Sequence, residues 1–365
     1  MKIATIFGTR PEIIKLSTLI PQLDKEFEQV LIHTGQHYSY KMDKIFFEEL
    51  RLRDCDYTLS IGSGTHAQQT GNMLIELEKV LLYEKPDMVI VQGDTNSTLA
   101  GALTASKLQI PVAHVEAGCR SFDRRMPEEI NRILVDSISE YLFAPDENSY
   151  KNLTCLECFP SEKVYLVGNT SVDACLRAKE LFNQETLDDY SLEKGKYILF
   201  TLHRQENTNI EGLKGIIRAL NEISNKIKVL FPAHLRTRKV LEENNINIGD
   251  NVILTDPMGY KDFMGLLTNS KFVMTDSGGI QEEAAVLNVP CLILRDNTEW
   301  MYYVEMGKNL LVGTHCDEIV EVVKNLLEND DKVSEIEKIK IPINQGATES
   351  IVAILKNKKS NKIKF

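Results

Sequence analysis

The sequence predicts an α/β protein made of two doubly wound parallel sheets, and three observations carry this prediction. The chain has 365 residues, of which 43% are hydrophobic, so it can bury two separate cores. Ten apolar runs of strand length alternate with helical patterns. A polar and charged stretch at 168–196 divides these runs into two groups of five. We therefore expect two sheets of about five strands, with helices on both faces of each and a cleft between the two domains.

The order of the runs assigns each strand to a domain. Domain 1–168 contains KIATIF, VLIHTG, MVIVQG, PVAHVE and YLFAP; domain 169–348 contains YILFTLH, KVLFPAH, NVILTD, KFVMTD and PCLILRD. The segment 349–365 predicts an amphipathic helix that ends in a basic tail.

Charge and cysteine content narrow the class of protein. The 42 basic and 53 acidic residues give a net charge of −11 without an acidic tail, so neither nucleic acid nor membrane is an expected partner. Seven scattered cysteines and the lack of a long apolar run predict a cytoplasmic protein. Cys155 and Cys158 have the spacing of half a zinc site, but no second pair with matching spacing follows. We expect no metal and no cofactor.

Two carboxylates follow apolar runs at the points where parallel strands should end. Asp94 comes after MVIVQG with Gly93 before it, and Glu116 ends PVAHVE with Gly118 close behind. A third acid, Glu128, lies where a further helix should begin. For any single acid, a helix cap or a solvated turn is the simpler interpretation. Because open α/β sheets bind ligands at this edge, the group of acids together favours proton transfer.

Two segments have the features of anion sites at helix N-termini. After the first strand, Arg10 and Lys15 flank the start of a helix. The second segment, 275–283, follows the strand KFVM, and its two glycines let the backbone approach a diphosphate. An ordinary capped turn remains the alternative for this second segment, whose candidate ligand contacts are Ser277, Gly278, Gly279 and Glu283.

Histidines at strand ends are further candidates. His203 ends ILFTLH and His234 ends VLFPAH, and either could donate to a phosphate oxygen. Gln36 and His37 follow VLIHTG and could line the same cleft. His114 lies inside an apolar strand and is expected to be a core histidine with satisfied hydrogen bonds.

Taken together, these motifs resemble the non-hydrolysing UDP-N-acetylglucosamine 2-epimerases. The resemblance runs from residue 2 to about 313 and rests on motifs in the family's order: GTRPEIIK, TGQH, VQGDTNSTLAGAL, HVEAGCRS, MPEEINR, GNTSVDA, TLHRQEN and TDSGGIQEEA. It implies a GT-B glycosyltransferase-like fold of two Rossmann-like domains, an interdomain active site, a C-terminal helix returning to the first domain, and a homodimer.

The resemblance also implies a reaction and a role for each candidate residue. UDP leaves by anti elimination to give 2-acetamidoglucal, and syn readdition inverts C2. Asp94, Glu116 and Glu128 match the family's acid–base residues, and Phe263 and Glu283 match the uracil and ribose contacts. The diphosphate would be held by Arg10, Lys15, His203 and the backbone of Ser277, Gly278 and Gly279. An activating UDP-N-acetylglucosamine would contact Gln36, His37 and His234.

One position departs from the family pattern and leaves the sugar open. Many members carry an arginine where this chain has Trp300, and Arg124, Arg125 or Arg295 could compensate. The alternatives are therefore a 2-epimerase of another UDP-2-acetamido sugar, such as a 6-deoxy or uronic one, a hydrolysing epimerase, a UDP-sugar glycosyltransferase, or a silent UDP-sugar-binding protein.

Overall fold

The computed structural model describes residues 1–36, 40–202, 207, 210–233, 235–298 and 300–362. Contacts divide the chain into two compact units, Met1–Arg177 with Asn344–Phe365, and Ala178–Ile343. Within the described residues, no helix is both long enough and apolar enough to cross a membrane.

The first unit contains a sheet of parallel strands. Its strands are β1 (Lys2–Phe7), β2 (Glu28–His33), β3 (Tyr57–Thr58), β4 (Met88–Gln92), β5 (Val112–Val115), β6 (Tyr141–Ala144) and β7 (Val164–Leu166). Its helices are α1 (Arg10–Leu16), α2 (Leu19–Glu26), α3 (Tyr40–Glu49), α4 (His66–Glu84), α5 (Asn96–Lys107), α6 (Pro127–Ile138), α7 (Glu147–Lys151) and the start of α8 (Thr170–Leu181). A π-helical turn follows α7 at Asn152–Leu156, and a 3₁₀ turn lies at Ser161–Lys163.

The second unit repeats this plan. Its helices are α9 (Glu185–Asp189), α10 (Ile210–Ser224), α11 (Leu235–Glu243), α12 (Tyr260–Asn269), α13 (Gly278–Val286), α14 (Met301–Glu305), α15 (Cys316–Glu328) and α16 (Asp330–Lys338). Its strands are β8 (Tyr197–Thr201), β9 (Lys228–Pro232), β10 (Val252–Thr255), β11 (Phe272–Thr275), β12 (Cys291–Ile293) and β13 (Asn309–Leu311).

Both sheets have the strand order of a doubly wound fold. In the described chain the orders are β3-β2-β1-β4-β5-β6-β7 and β10-β9-β8-β11-β12-β13, with every pair parallel. The direction of winding reverses between β1 and β4 and again between β8 and β11. Such a reversal opens a crevice at the carboxyl ends of the strands, where ligands bind.

The predicted α/β class with parallel sheets is confirmed, but the expected count of about five strands per sheet is wrong. The described sheets have seven and six strands. The three strands that the sequence did not predict are β3, β7 and β13, which have only two or three residues each. A run of that length is too short for an apolar pattern to appear, and the neighbouring strands rather than the local sequence hold it in the sheet.

Alternating helix and strand sequences bury a hydrophobic core in each unit. The first core includes Ile6, Ile32 and Val91 from the sheet and Met73 and Leu77 from α4, all fully buried. Helix α5 is rich in small residues, and Gly101 packs so close to the sheet that a Cβ there would lie 3.0 Å from Val91 Cγ1 and 3.2 Å from Ile6. This close packing brings the start of α5 down against the ends of β1 and β4.

The C-terminal helix α17 (Ala347–Lys362) packs against α2 of the first unit. The Thr348 and Thr18 hydroxyls lie 2.7 Å apart, and Lys356 pairs with Glu26 at 2.8 Å. The Asp173 carboxylate of α8 accepts bonds from the Gly346 and Thr348 backbone N–H groups, each 2.8 Å long. These bonds keep the first turns of α8 in the first unit, so contacts divide the chain after Arg177, whereas the boundaries 168 and 348 remain predictions from the sequence.

Candidate active site

In the first unit, the loops that follow β1, β4 and β5 meet at the reversal of the sheet. Helix α5 begins at Asn96 because the Thr95 hydroxyl accepts a 3.1 Å bond from the Thr98 N–H, and the Thr98 hydroxyl accepts a bond from the Thr95 N–H. The cap is therefore Thr95, and Asp94 is not needed for that role. Helix capping, the simplest structural explanation for Asp94, is thus ruled out.

Glu116 follows β5 in a backbone conformation that is rare for its residue type. Its φ of +74° lies in the left-handed region, which non-glycine residues occupy uncommonly. The Lys15 ammonium donates to both carboxylate oxygens, at 2.8 and 2.6 Å, and the Gln92 amide donates to one of them. A Cβ on Gly93 would lie 3.9 Å from this carboxylate, so the turn that precedes Asp94 is next to Glu116.

Asp94 is held by α6. The Arg132 guanidinium donates to Asp94 Oδ2 from Nε at 3.0 Å and from Nη2 at 2.6 Å, while the Asn131 amide donates to the Asp94 carbonyl at 2.8 Å. The remaining Arg132 nitrogen donates to Glu129 at 2.8 Å. Two of the three predicted acids therefore have their own cation: Lys15 is bonded to Glu116, and Arg132 is bonded to Asp94.

The two consecutive acids at the start of α6 have different environments. Glu129 is buried and accepts bonds from the Ser121 and Phe122 N–H groups, both at 2.9 Å. Burial alone would raise the pKa of Glu129, but these bonds and Arg132 outweigh it and lower the pKa. Glu128 is only half-buried in the first turn of the helix. The adjacent pair thus divides into a structural carboxylate, Glu129, and an accessible one, Glu128.

In the segment of the first predicted anion site, several polar groups are already bonded within the protein. The buried Glu12 carboxylate accepts from the Gly8 N–H at 3.0 Å and from the Thr9 hydroxyl at 2.8 Å. Lys15 is paired with Glu116, as described above. Arg10 is exposed and lies 5.3 Å from the Phe46 ring centroid. Of the expected diphosphate groups in this segment, Arg10 is the most accessible.

The second unit has a different edge at its own reversal. Ser277 is the N-cap of α13, and Gly278 and Gly279 form its first positions. A Cβ on Gly279 would meet no heavy atom of the described residues within 4 Å, so the space above this turn is open. Beneath it, Asp276 is fully buried and accepts a 3.2 Å bond from Asn207.

The other predicted contacts are spread over neighbouring elements. Glu283 lies on α13 and Phe263 on α12, and both are half-buried. Gln36 is buried, and its amide oxygen accepts from the Ser97 N–H at 2.9 Å and from the Ser97 hydroxyl at 2.7 Å. That oxygen is therefore occupied in capping α5. Three predicted residues, His37, His203 and His234, lie outside the described residues.

At the position that departs from the family pattern, Trp300 is half-buried, and its backbone N–H donates to the Thr298 hydroxyl at 3.1 Å. Arg295, the nearest candidate in sequence to replace the missing charge, is buried and donates to Asn297 at 3.3 Å. Arg125, by contrast, projects 91% of its side chain into solvent beside Asp123. Arg124 is exposed as well.

The potential metal ligands do not gather into one site. Over the described ranges, no group of three or more histidine, cysteine, aspartate or glutamate side chains could hold a metal ion. Cys155 and Cys158 are both exposed.

Several residues of the site were not predicted from the sequence. Arg132 and Gln92 contact the predicted acids directly, and Glu12 joins the loops after β1 and β4 through a 2.9 Å bond from Thr95. For Arg132 a signal was present, since it lies three residues after Glu129 on the predicted helix, a spacing that places the two on one face. The Gln92 bond to Glu116 and the Glu12 bond to Thr95 have no such local signal, because they join residues 24 and 83 positions apart.

Comparison with known proteins identifies the family of this chain. A family model described as UDP-N-acetylglucosamine 2-epimerase matches residues 21–356. The UDP-N-acetylglucosamine 2-epimerase of Methanocaldococcus jannaschii is 51% identical over 345 residues, which cover 90% of this chain and 92% of that protein. The UDP-2,3-diacetamido-2,3-dideoxy-D-glucuronate 2-epimerase of Pseudomonas aeruginosa is 46% identical over 334 residues, with 90% and 92% covered.

A solved structure gives the same result. The crystal structure of the M. jannaschii enzyme in complex with UDP-GlcNAc and UDP is 49% identical, covers 98% of this chain and 100% of its own, and superposes with a TM-score of 0.80. The family model and these relatives cover most of the chain. The chain therefore belongs to the UDP-N-acetylglucosamine 2-epimerase family.

Proposed function

We propose that this protein interconverts UDP-N-acetylglucosamine and UDP-N-acetylmannosamine at C2 without releasing the free sugar. The observation that carries the proposal is the pair of carboxylates, Asp94 and Glu116, which lie at the reversal of the first sheet and are each bonded to a separate cation. Binding alone would not require two acids at this edge, whereas removal and return of a proton requires groups that can accept and donate it.

The chemistry explains why leaving-group stabilisation must accompany the proton transfer. The C2 hydrogen is not next to a carbonyl, so it becomes acidic only as the C1–O bond breaks. UDP leaves with the bonding electron pair, a carboxylate takes the C2 proton, and a C1=C2 double bond forms. In the return step a UDP oxygen attacks C1 and a proton reaches C2 from the opposite face. The acids among which these two roles are divided are Asp94, Glu116 and Glu128.

We assign Lys15 and Arg132, the cations of this edge, to stabilising the charge that moves during the reaction. Lys15 and Arg132 hold two carboxylates in fixed positions through bonds of 2.6 to 3.0 Å. Fixed donors do not have to reorient as charge moves during the reaction, which is how such groups lower a barrier. Arg10, which is exposed at the start of α1, is suited to meet the diphosphate charge.

We assign UDP binding to the second unit. The backbone of the turn formed by Ser277, Gly278 and Gly279 begins α13, and the helix dipole favours a diphosphate there. Glu283, one turn into α13, would accept from the ribose hydroxyls, and the Phe263 backbone would contact uracil. His203 would add a donor to the diphosphate.

Regulation and assembly complete the proposal. Gln36, His37 and His234 would contact an activating UDP-N-acetylglucosamine; hyperbolic kinetics with the manno epimer as sole ligand would contradict this. A homodimer is supported by an apolar surface on α4 and α6, where Ile75, Leu82, Tyr83, Ile130 and Leu134 are between 46% and 79% exposed.

A cytoplasmic location is supported by the seven cysteines, which form no disulfide within the described residues.

A second candidate substrate is a uronic UDP-2-acetamido sugar. It is favoured by the 46% identity to the P. aeruginosa enzyme named for such a compound, and by Trp300 in place of the family arginine.

Turnover of each UDP-sugar, measured separately, distinguishes the two candidates. The purified protein is incubated with each UDP-sugar alone, and the epimer ratio is followed by anion-exchange chromatography. Faster approach to equilibrium with UDP-N-acetylglucosamine supports the proposal. Turnover of the uronic sugar alone would move the assignment to the second candidate, and accumulation of free N-acetylmannosamine with UDP would indicate a hydrolysing enzyme.

A further inference from the structure

A fully buried histidine lies beneath the carboxylates and has no role in the reaction described above. His114, on β5, has both ring nitrogens engaged: Nδ1 lies 2.6 Å from Asp136 Oδ1 and Nε2 lies 2.7 Å from the Gly93 carbonyl oxygen. The sequence prediction of a satisfied core histidine is confirmed. Its partners, however, are the turn that carries Asp94 and a buried acid on α6.

The chemistry of these partners determines the protonation of the ring. A carbonyl oxygen can only accept, so Nε2 must carry a hydrogen. Asp136 also accepts from the Gly118 N–H at 3.0 Å and from Arg120 Nη2 at 2.7 Å, which are the contacts of an ionised carboxylate. Nδ1 must therefore carry a hydrogen too. With hydrogens on both nitrogens, the ring is a buried imidazolium.

The charges around the ring support this state. Burial would by itself lower the pKa of His114, but Asp136, the Gly93 carbonyl and the charge of Glu116 outweigh it and raise the pKa. Asp136 is in turn flanked by Arg120, which pairs with Glu157 at 2.6 Å.

The same pair of residues fixes both loops that carry the acids. His114 holds the Gly93 carbonyl, one residue before Asp94, and Asp136 holds the Gly118 N–H, two residues after Glu116. Gly118 has a φ of +80°, and a Cβ there would lie 2.3 Å from the Ser149 carbonyl oxygen, so this loop has little freedom to shift.

We infer that His114 is a permanent imidazolium which, with Asp136, positions the turns carrying Asp94 and Glu116. It is a positioning residue and does not exchange protons with substrate, since both of its nitrogens are committed to protein partners. The inference rests on the proposed function for its effect on turnover, but the charge state of the ring can be measured without any turnover.

The experiment is nitrogen-15 NMR of the full-length protein labelled in histidine, recorded without ligand from pH 6 to pH 9. An ordinary histidine loses its charge near pH 6.5. We expect one ring to keep two slowly exchanging N–H protons at about pH 8, and Asp136→Asn to change that ring's signals. The absence of any doubly protonated ring at that pH overturns the inference, whatever the enzyme's activity.

Kinetics of His114→Asn provide the second readout. We expect kcat to fall about tenfold or more, as when outer partners of catalytic groups are removed, with UDP affinity unchanged. The matched control is His315→Asn, because His315 is exposed at the N-cap of α15, where asparagine is an equally good cap. Unchanged kcat in a folded His114→Asn protein contradicts the positioning role. If that variant does not fold, the wild-type NMR signal still decides the charge state.

Discussion

The two units share one topology but present opposite chemistry at the same edge of the sheet. At the β1–β4 reversal, Asp94 and Glu116 are bonded to Arg132 and Lys15, a dense set of charged side chains. At the β8–β11 reversal, the turn at Ser277 is built of small residues and backbone N–H groups. The shared fold places a crevice at this edge in both units, and the loop sequences give the two edges different chemical groups.

What lies beneath each edge also differs. Under the first, the Glu12 carboxylate receives four donors from the loops after β1 and β4. Under the second, the Thr201 and Thr275 hydroxyls pair at 2.7 Å, and Thr275 also accepts from the Ser277 N–H at 3.0 Å. Each edge thus has a buried acid beneath it, Glu12 at the first and Asp276 at the second, and the second edge also rests on the paired hydroxyls of Thr201 and Thr275.

Removing the acids should have the largest effect and should separate the two edges. We predict that Asp94→Asn, Glu116→Gln and Glu128→Gln each reduce turnover by about 100-fold or more while UDP affinity, measured by calorimetry, stays nearly unchanged. Glu162→Gln is the matched control, since Glu162 is exposed in the same unit. A parallel loss of UDP affinity would show that these acids bind the nucleotide.

The complementary change is made at the second edge. Gly279→Val places a side chain in the open space above the turn, where its Cβ would have no heavy atom of the described residues within 4 Å. We predict a fold that is intact by circular dichroism and a loss of UDP affinity of about tenfold or more, the cost of forcing two groups into one space.

The control for this variant is Gly215→Ala, a glycine in α10 that also has no heavy atom of the described residues within 4 Å of a built Cβ. Its UDP affinity should be that of the wild type. Full UDP affinity in Gly279→Val would remove the anion site from this turn.

A smaller effect should appear in the pH dependence of stability. Burial raises the pKa of Glu12, and the bonds from Gly8 and Thr9 only partly offset it. An acid whose pKa is higher in the folded protein contributes its full stabilisation below the unfolded pKa of about 4.3. This contribution is lost as the pH rises through the folded pKa, by about 1.4 kcal/mol for each pH unit that separates the folded from the unfolded pKa.

We therefore predict that the free energy of unfolding of the wild type falls relative to Glu12→Gln as the pH rises above about 4.3. Urea denaturation at a series of pH values measures this difference, with Glu162→Gln again as the control. A difference that is constant with pH would mean that Glu12 is as easily ionised in the folded protein as in the unfolded chain.

The smallest effect is expected in the chemical labelling of cysteines in the two units. Burial and the charge of Glu116 raise the pKa of Cys119 to about 12, and burial raises the pKa of Cys291 as well. We predict that iodoacetamide at about pH 8 labels the exposed Cys155 and Cys158 but neither of these two, because the thiolate is the reactive form. Mass spectrometry of the native and urea-unfolded protein checks this; labelling of native Cys119 would contradict the raised pKa of that thiol.

The sequence predicted the features that repeat along the chain. Strand runs such as MVIVQG and the acids that end them follow local patterns, so the α/β class and the positions of Asp94 and Glu116 at strand ends could be anticipated. The cations could not be assigned, because Arg132 and Lys15 lie 38 and 101 residues from the acids they contact. Pairings over such distances depend on tertiary structure, and the sequence signal at Arg132 reaches only Glu129, three residues before it.

His114 shows the same limit of prediction from sequence. His114 was predicted to be buried from its apolar strand, yet its bond to the Gly93 carbonyl follows only from the pairing of β4 with β5. The short strands β3, β7 and β13 were missed for a related reason, since neighbouring strands stabilise them more than their own two or three residues do.

The most direct test of the central claim, that the first unit transfers a proton at C2 while UDP is retained, is proton NMR of UDP-N-acetylglucosamine with the protein in D₂O. We predict a UDP-linked manno epimer that carries deuterium at C2. Epimer formation with the original hydrogen kept at C2, or no epimer together with free UDP and sugar, would contradict the account.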